Sequence, residues 1–320
     1  MKEEGGPHLR DLTAQLEPTE LRRPDFYIIG APKSGTTAMY QYLAVHPEIF
    51  VPATKELRFF GADLDVRGFA QRDVDTYLRS FVGAAQTQRV GAAYVWYLYS
   101  KTAAAEIYQF TPEARIIVML RAPADMLYSL HSEHLSNGNE DLRSFEDALK
   151  AEEDRRAGRR IPPHAHLPQG LFYSEVARYA EQLERYLALF GQHRIHVLLY
   201  EDFSNDTETS YRETLRFLNV ADDFTPSRFE VVNPNKRVRS EALRHFLAQP
   251  PPLTRRIIRA SVPQAVRRAL YERAKGMNIT NPPRAPLAHA TRQYVNGLLR
   301  TDVKRLGEIL GRDLNHWVDT

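Results

Sequence analysis

One segment near the start of the chain constrains the fold more than any other. Phe26-Tyr27-Ile28-Ile29 is an apolar run that leads into Gly30-Ala31-Pro32-Lys33-Ser34-Gly35-Thr36-Thr37, after which apolar residues recur three or four apart. This order predicts a buried strand, a glycine turn and a helix. Such a turn directs backbone N–H groups and the helix N-terminus toward an anion. The segment therefore predicts a binding site for phosphate or a related group.

Two further apolar runs extend this pattern. Arg115 to Leu120 carries a continuous Ile-Ile-Val-Met-Leu run after its arginine, and Ile195 to Tyr200 is another run of this kind. Helical periodicity lies between the runs, so the sequence predicts an α/β fold: a single P-loop-like domain with a central parallel sheet flanked by helices. The predicted helices are Thr36 to Val45, Pro123 to Ser136, Phe145 to Ala157, Ser174 to Phe190 and Glu208 to Leu218.

The predicted domain occupies residues 25–320 and follows a flexible N-terminal lead-in at residues 1–24. Residues 155–170 carry paired arginines, paired prolines and two histidines, and we expect them to form a mobile loop. After a proline run, residues 250–320 are expected to form a helical C-terminal extension whose last helix runs from Thr291 to Leu310.

Composition narrows the classes of function. The 320 residues are 43% hydrophobic, which is enough for a sizeable core. Lysine and arginine total 43 against 40 acidic residues, a smaller excess than nucleic-acid partners require, so we expect no nucleic acid as a partner but a local anion site. The chain has no cysteine, which favours a reducing, cytoplasmic location. The first 24 residues lack an apolar stretch, so we expect no signal peptide and no membrane anchor.

The glycine turn departs from the loop that binds nucleoside triphosphates. Its two glycines have the right spacing, but Thr36 stands where the lysine after the second glycine belongs, and the lysine is Lys33 instead. The second predicted strand is followed by Arg121 rather than by an aspartate that would hold Mg²⁺. A γ-phosphate site is thus disfavoured, although a P-loop kinase of a small metabolite stays an alternative.

Pro32-Lys33-Ser34-Gly35-Thr36-Thr37 resembles, residue for residue, the 5′-phosphosulfate loop of sulfotransferases that use 3′-phosphoadenosine 5′-phosphosulfate (PAPS). Arg115 to Ser129 resembles their 3′-phosphate segment, and the resemblance spans about Pro24 to Ser240. The chain looks like a soluble bacterial member close to the glycosaminoglycan-type branch. The resemblance implies PAPS as donor, 3′-phosphoadenosine 5′-phosphate as product, no required metal, and in-line sulfuryl transfer to a hydroxyl or amine. An inactive nucleotide-binding relative is a further alternative.

The resemblance also implies roles for particular residues. The loop would bind the 5′-phosphosulfate, Arg121 and Ser129 would bind the 3′-phosphate, and a late basic loop after Asn233 would close over the phosphates. Lys33 would in addition be catalytic, because it would stabilise the departing phosphate. The implied donor-binding residues are Lys33, Ser34, Gly35, Thr36, Thr37, Arg121, Ser129, Lys236, Arg237 and Arg239.

Glu56 is the candidate catalytic base. Lys55-Glu56-Leu57-Arg58-Phe59-Phe60 resembles a segment that carries a catalytic glutamate in glycosaminoglycan-type and several bacterial sulfotransferases, and an exposed Lys55–Glu56 charge pair is the alternative. Histidine is the rival base, as in the branch that acts on phenols and steroids. The candidates are His131, His134, His164 and His166. A metal site at His131, Glu133 and His134 is disfavoured, because Glu133 faces away from the histidine pair.

The sequence leaves the acceptor open between a small-molecule, lipid-like or glycan compound, and it leaves the oligomeric state open. Trp96 or Tyr97 would stack on the adenine, with core packing as the equal alternative. Aromatic residues that would line a pocket for an apolar alcohol, which we slightly favour, are Phe59, Phe60, Phe69, Tyr94, Trp96 and Tyr97. Cations that would suit an anionic glycan are Arg58, Arg67, Arg159 and Arg160.

Overall fold

A parallel sheet forms the centre of the fold. The computed structural model describes residues 22–67, 73–226, 229, 237–238, 279–280 and 285–319, and the structural statements below concern these residues. The strands of this sheet are β1 (Phe26–Gly30), β2 (Ile49–Phe50), β3 (Arg89–Ala93), β4 (Arg115–Leu120) and β5 (Ile195–Leu199). They lie in the order β2-β3-β1-β4-β5, and every neighbouring pair is parallel. The predicted α/β fold with a parallel sheet is confirmed.

Helices connect these strands and cover the sheet. They are α1 (Thr36–Ala44), α2 (Val74–Arg79), α3 (Ala103–Phe110), α4 (Pro123–Asn137), α5 (Phe145–Lys150), α6 (Glu152–Arg156), α7 (Tyr173–Val176), α8 (Tyr179–Phe190), α9 (Tyr200–Asn205), α10 (Thr207–Leu218) and α11 (His289–Leu310). Short 3₁₀ turns lie at Pro168–Leu171, Gln192–Arg194 and Asn315–Trp317. In the part of the chain that the structure describes, no helix has the length and apolar character needed to cross a bilayer.

Two of the predicted helices are divided in the structure. Residues 145–157 form α5 and α6, and residues 174–190 form α7 and α8. Between α7 and α8 the buried Gln182 side chain donates to the carbonyls of Glu175 and Val176 at 2.9 and 3.1 Å. These carbonyls are thereby satisfied without a continuous helix, which explains why the break is tolerated.

Alternate residues of the central strand face opposite sides of the sheet. Tyr27 and Ile29 join a hydrophobic cluster that includes residues of α4 and α8, whereas Phe26 and Ile28 join a second cluster with α1 and α10. All five residues of β1 are buried. The sheet is therefore covered on both faces, which is the usual arrangement for a parallel sheet.

The strand order brings the ends of β1 and β4 together. β1 pairs with β3 on one side and with β4 on the other, and Gly30 lies in register with Val118. The first residue of the following turn, Ala31, donates its N–H to the Met119 carbonyl at 2.7 Å. The chain thus leaves β1 and β4 at one edge of the sheet, in the crevice where open α/β sheets bind ligands.

Residues 155–170, predicted to be a mobile loop, are anchored at their start by a buried ion pair. The Arg155 guanidinium donates to both carboxylate oxygens of Glu140 at 2.8 Å, and both side chains are fully buried. Tyr173 donates to the same carboxylate at 3.0 Å. Burial raises the pKa of Glu140, but hydrogen bonds from the Leu142 N–H and from Arg155 offset this effect, and the net shift is downward. The anchor fixes where the segment begins, while the mobility of the segment stays a prediction.

The described C-terminal residues contain one long helix and part of a small sheet. The helix predicted from Thr291 to Leu310 is observed as α11, which packs against α8 and α4. Strands β6 (Arg237–Val238) and β7 (Ile279–Thr280) form an antiparallel pair. The division of the chain into a lead-in, one domain and a helical extension stays a prediction.

Candidate functional site

The glycine turn after β1 requires its two glycines. At Gly30, with φ of 150°, an added Cβ would lie 2.8 Å from the Val95 carbonyl oxygen and 2.9 Å from the Leu98 Cβ. At Gly35, with φ of 90°, an added Cβ would lie 3.2 Å from the Phe203 ring. Gly35 also caps α1, and the first N–H groups of a helix have no acceptor within it. The turn therefore offers backbone donors at the start of α1, and the binding of an anion there stays a prediction.

The side chains of the glycine turn lie beside these backbone donors. Lys33 has φ of 60°, an uncommon conformation for a residue with a side chain and one that is frequent at functional sites. The Ser34 side chain is buried and its Oγ donates to the Pro32 carbonyl at 3.3 Å. Thr36 is buried at the start of α1, while Thr37 is half-buried. The five predicted loop residues thus lie together in the turn after β1 and at the start of α1, and their roles as ligands stay predictions.

A lysine that the sequence did not assign also contacts this turn. Lys55 Nζ donates to Thr36 Oγ1 at 3.3 Å and to Glu56 Oε1 at 2.6 Å. The second Glu56 oxygen accepts the Val95 N–H at 3.3 Å, and the Glu56 side chain is 43% exposed. The predicted base Glu56 therefore directly follows Lys55, a cation that contacts Thr36 at the end of the glycine turn. Part of the Glu56 carboxylate is open to solvent.

Arg121 joins the second predicted segment to the first. Its guanidinium donates to the Lys33 carbonyl at 3.3 Å and stacks on the Tyr200 ring, 4.6 Å from the ring centroid. Ser129 lies on α4, about two helical turns further along the chain, and is buried. The stacking on Tyr200 orients the guanidinium at the turn, a contact that adds directionality to its charge.

A carboxylate on α4 pairs with the predicted catalytic lysine. Glu133 lies one helical turn beyond Ser129 and forms an ion pair with Lys33 Nζ. Sequence reasoning placed Glu133 only in a disfavoured metal cluster and missed this contact. Its spacing of four residues from Ser129 puts the two side chains on one helix face, which is the signal that would have found it.

Only part of the late basic loop can be placed. Lys236 and Arg239 lie outside the described residues. The backbone of Arg237 is paired with Thr280 in the small sheet, and Cα atoms of this strand lie within 8 Å of Cα atoms of α4. The backbone at Arg237 therefore runs beside the helix that carries Ser129, while the ligand roles of Lys236, Arg237 and Arg239 stay predictions.

The two histidines of α4 have structural surroundings. His131 Nε2 is hydrogen-bonded to the Leu142 carbonyl at 2.8 Å, and the buried His134 ring stacks on Trp96. Burial lowers the pKa of His134 to about 4 and also lowers the pKa of His131. Across the ranges that the structure describes, no group of three or more metal-ligating side chains is arranged to hold a metal ion. The histidines of α4 are thus core residues rather than bases facing the turn.

The low pKa of His134 predicts a specific pH dependence of stability. The unfolded imidazole binds a proton below pH 6.5, whereas the folded imidazole binds one only near pH 4, so protons favour the unfolded chain in this window. We expect the free energy of unfolding to fall as the pH drops from about 6.5 to about 4, with up to about 3 kcal/mol due to His134. The free energy of unfolding, measured by urea titration at several pH values, should depend less steeply on pH in His134→Gln than in wild type. His289→Gln, at an exposed position, serves as the control. Equal slopes in wild type and His134→Gln would contradict this assignment.

Most of the aromatic residues proposed for an acceptor pocket lie in the core instead. Phe59 and Phe60 are buried against Tyr77, and the buried Tyr97 hydroxyl donates to the Leu57 carbonyl at 2.9 Å. Tyr97 therefore follows the core-packing alternative, not adenine stacking. Trp96 is half-buried beside His134, and Phe69 lies outside the described residues.

Several known proteins are similar to this chain in sequence. A family model described as a sulfotransferase domain matches residues 23–245. Carbohydrate sulfotransferase 15 of Rattus norvegicus is 27% identical over 248 residues, which cover 62% of this chain and 44% of the relative. Bifunctional heparan sulfate N-deacetylase/N-sulfotransferase 3 of Homo sapiens is 29% identical over 217 residues, which cover 66% of this chain and 24% of the relative. The chain thus spans less than half the length of either relative.

A solved structure is similar over almost the whole chain. A sulfotransferase from Alicyclobacillus acidocaldarius superposes with a TM-score of 0.68 at 27% sequence identity. The superposition covers 93% of this chain and 99% of the other. The overall fold of this chain therefore resembles an architecture already seen in a crystal structure.

Proposed function

The chain belongs to the sulfotransferase family, and on this basis we propose that it transfers a sulfuryl group from PAPS to a hydroxyl or amine of an acceptor. One observation carries the proposal: the Arg121 guanidinium donates to the Lys33 carbonyl at 3.3 Å. The two segments that resemble the family's 5′- and 3′-phosphate motifs thereby meet at one edge of the sheet. A donor with phosphates at both positions needs cations at two adjacent points, and this arrangement supplies them.

The residues present fit such a donor. The N–H groups at the start of α1, together with Lys33 and Lys55, suit the 5′-phosphosulfate, while Arg121 and Ser129 suit the 3′-phosphate. The arrangement fits a P-loop kinase poorly, because the lysine precedes the second glycine and Arg121, not a carboxylate, directly follows β4. The proposed reaction requires no metal, since the cations of the turn neutralise the charge that develops.

The reaction exchanges one bond to sulfur for another. The acceptor oxygen or nitrogen forms a bond to sulfur as the bond from sulfur to the bridging phosphate oxygen breaks, and the acceptor loses a proton. Negative charge builds on the bridging oxygen, so a fixed cation at that point lowers the barrier. We assign this role to Lys33, and we assign acceptance of the proton to Glu56.

The surroundings of the candidate bases favour Glu56. Its carboxylate is partly exposed next to Lys55, whose ammonium touches the phosphate turn. His131 and His134 are packed into the core, and His131 already bonds a backbone carbonyl. His164 and His166 are exposed residues of the segment after α6 and stay the alternative bases.

We favour a carbohydrate as the acceptor over a small-molecule or lipid-like alcohol. Two relatives are named for carbohydrate and heparan sulfate sulfotransferase activities, and most of the aromatic residues considered for an apolar pocket belong to the core. Arg67 also brings a cation to the segment after α6, because its guanidinium donates to the Pro163 carbonyl at 3.2 Å. The positive charge of Arg67 would complement the anionic groups of a sulfated or acidic carbohydrate bound beside this segment.

We also propose that the protein acts in the cytoplasm. The absence of cysteine from the sequence supports this location, because disulfides are typical of oxidising compartments. Fractionation of the source cells, followed by immunodetection of the protein, tests the location directly.

Calorimetric titration tests the donor assignment. We expect 3′-phosphoadenosine 5′-phosphate to bind the wild-type protein without metal, and ATP with Mg²⁺ to bind much more weakly. Arg121→Ala removes a charge-assisted contact, so its affinity for the bisphosphate should fall by roughly 10- to 100-fold. Binding of ATP with Mg²⁺ but not of the bisphosphate would contradict the proposal and favour a kinase. Binding without sulfuryl transfer to any carbohydrate, phenol or amine acceptor would indicate an inactive relative.

A further inference from the structure

Lys33 has an anionic partner at the position where the proposed function requires it to contact the donor. Its ammonium forms an ion pair with Glu133, which lies 100 residues further along the chain on α4. The Lys33 side chain is 21% exposed and that of Glu133 is 43% exposed. The same ammonium cannot satisfy this carboxylate and the oxygens of a phosphosulfate equally well, so donor and carboxylate compete for it.

The backbone of Lys33 is held independently of its side chain. The Arg121 guanidinium donates to the Lys33 carbonyl at 3.3 Å, and the Gly30 and Gly35 turn fixes the chain on either side. The ammonium can therefore exchange its partner by rotation of the side chain, with no rearrangement of the turn. Half-exposed ion pairs contribute little to stability, so an anionic ligand can displace this one.

Displacement leaves the Glu133 carboxylate beside a ligand of the same sign. A like charge this close weakens the binding of an anion, and the effect is larger in a partly desolvated site than in bulk water. After the reaction the same repulsion favours departure of the bisphosphate, and Lys33 returns to Glu133. The carboxylate thus acts on both the arrival and the departure of the nucleotide.

We propose that Glu133 is a positioning residue that competes with the donor for Lys33 and thereby sets donor affinity and the rate of bisphosphate release. This inference rests on the proposed function, because it takes Lys33 to contact the donor. Glu133 lies outside both the glycine turn and the segment from Arg115 to Ser129. While the nucleotide is absent, Glu133 holds the Lys33 ammonium against α4.

The test compares Glu133→Gln and Glu133→Ala with wild type by titration with 3′-phosphoadenosine 5′-phosphate and by stopped-flow displacement. Both variants should bind the bisphosphate about three- to tenfold more tightly and release it more slowly. Glu133→Asp, which keeps the charge, should stay closer to wild type. Glu208→Gln adds the same net charge at an exposed i,i+4 pair on α10 and should leave the affinity unchanged.

The direction of the change separates competition from a merely structural role. A Glu133 that only braced Lys33 would give weaker binding when removed, so weaker or unchanged binding by folded Glu133→Gln and Glu133→Ala overturns the inference. Steady-state kinetics provide a second readout. The Glu133 variants should have a lower KM for the donor and, where product release limits turnover, a lower kcat than wild type. If wild type binds no bisphosphate, the donor assignment itself is wrong, and this inference falls with it. Binding by wild type without tightening in the variants overturns the inference alone.

Discussion

Replacing Lys33 by alanine should leave a folded protein that is almost inactive. Lys33 is the lysine of the glycine turn itself, and the proposed reaction needs a positive charge where the bridging oxygen becomes anionic. Removing one such preorganised group costs about 3 kcal/mol of transition-state stabilisation, which corresponds to a fall in kcat of roughly two orders of magnitude. Initial rates at saturating PAPS measure the effect, and thermal unfolding reports whether the fold is kept.

Two further variants define what the Lys33→Ala result means. Lys33→Met keeps most of the side-chain length without the charge and should be as inactive as the alanine variant. Lys101→Ala removes an exposed lysine that follows Ser100 and does not belong to the turn, and it should retain wild-type rates. Turnover by Lys33→Ala within a few-fold of wild type would refute the catalytic assignment.

Glu56→Gln should lower kcat while leaving the affinity for the bisphosphate close to that of wild type. A positioned general base typically contributes about 10²- to 10⁴-fold to the rate, and glutamine keeps the shape of the side chain but cannot accept the proton. The amide oxygen of glutamine can still accept the Val95 N–H, so the local backbone should stay in place. Initial rates with saturating donor and acceptor, set beside a calorimetric titration of the same variant, separate the chemical step from binding.

The control for this variant is Glu113→Gln, which changes a largely exposed carboxylate paired with Arg194 away from the turn. It should behave as wild type in both measurements. Wild-type kcat for Glu56→Gln would transfer the role of base to His164 or His166, and the same substitution at those two positions would then decide between them.

Local sequence patterns were sufficient to predict the elements that build the turn. β4 is observed from Arg115 to Leu120 as predicted, and α1 begins at Thr36 directly after the glycine turn. A buried strand is indicated by a continuous run of apolar residues and a helix by apolar residues three or four apart. Both patterns lie within a short stretch of sequence. The turn itself was predictable because only glycine tolerates the conformations and close approaches found at Gly30 and Gly35.

Contacts between distant parts of the chain were not predictable in the same way. The pairing of Lys33 with Glu133, the contact of Lys55 with Thr36 and the stacking of Arg121 on Tyr200 each join separate elements. The sequence around Glu56 did not indicate whether Phe59 and Phe60 line a ligand pocket or pack in the hydrophobic core. Their burial against α2 and α3 depends on how those helices pack on the sheet, which local patterns do not specify.

The buried pair between Glu140 and Arg155 has a consequence for redesign of this protein. Under the proposal that the acceptor meets the segment after α6, residues 155–170 are the stretch to exchange for the corresponding segment of a relative. A graft that places another residue type at Arg155 would leave Glu140 as an uncompensated charge in the core, at a cost of about 3–5 kcal/mol. A chimera should therefore take both residues from the same parent, with its boundaries placed before Glu140 and after Tyr173. The unit of exchange is thus larger than the segment that the acceptor would touch.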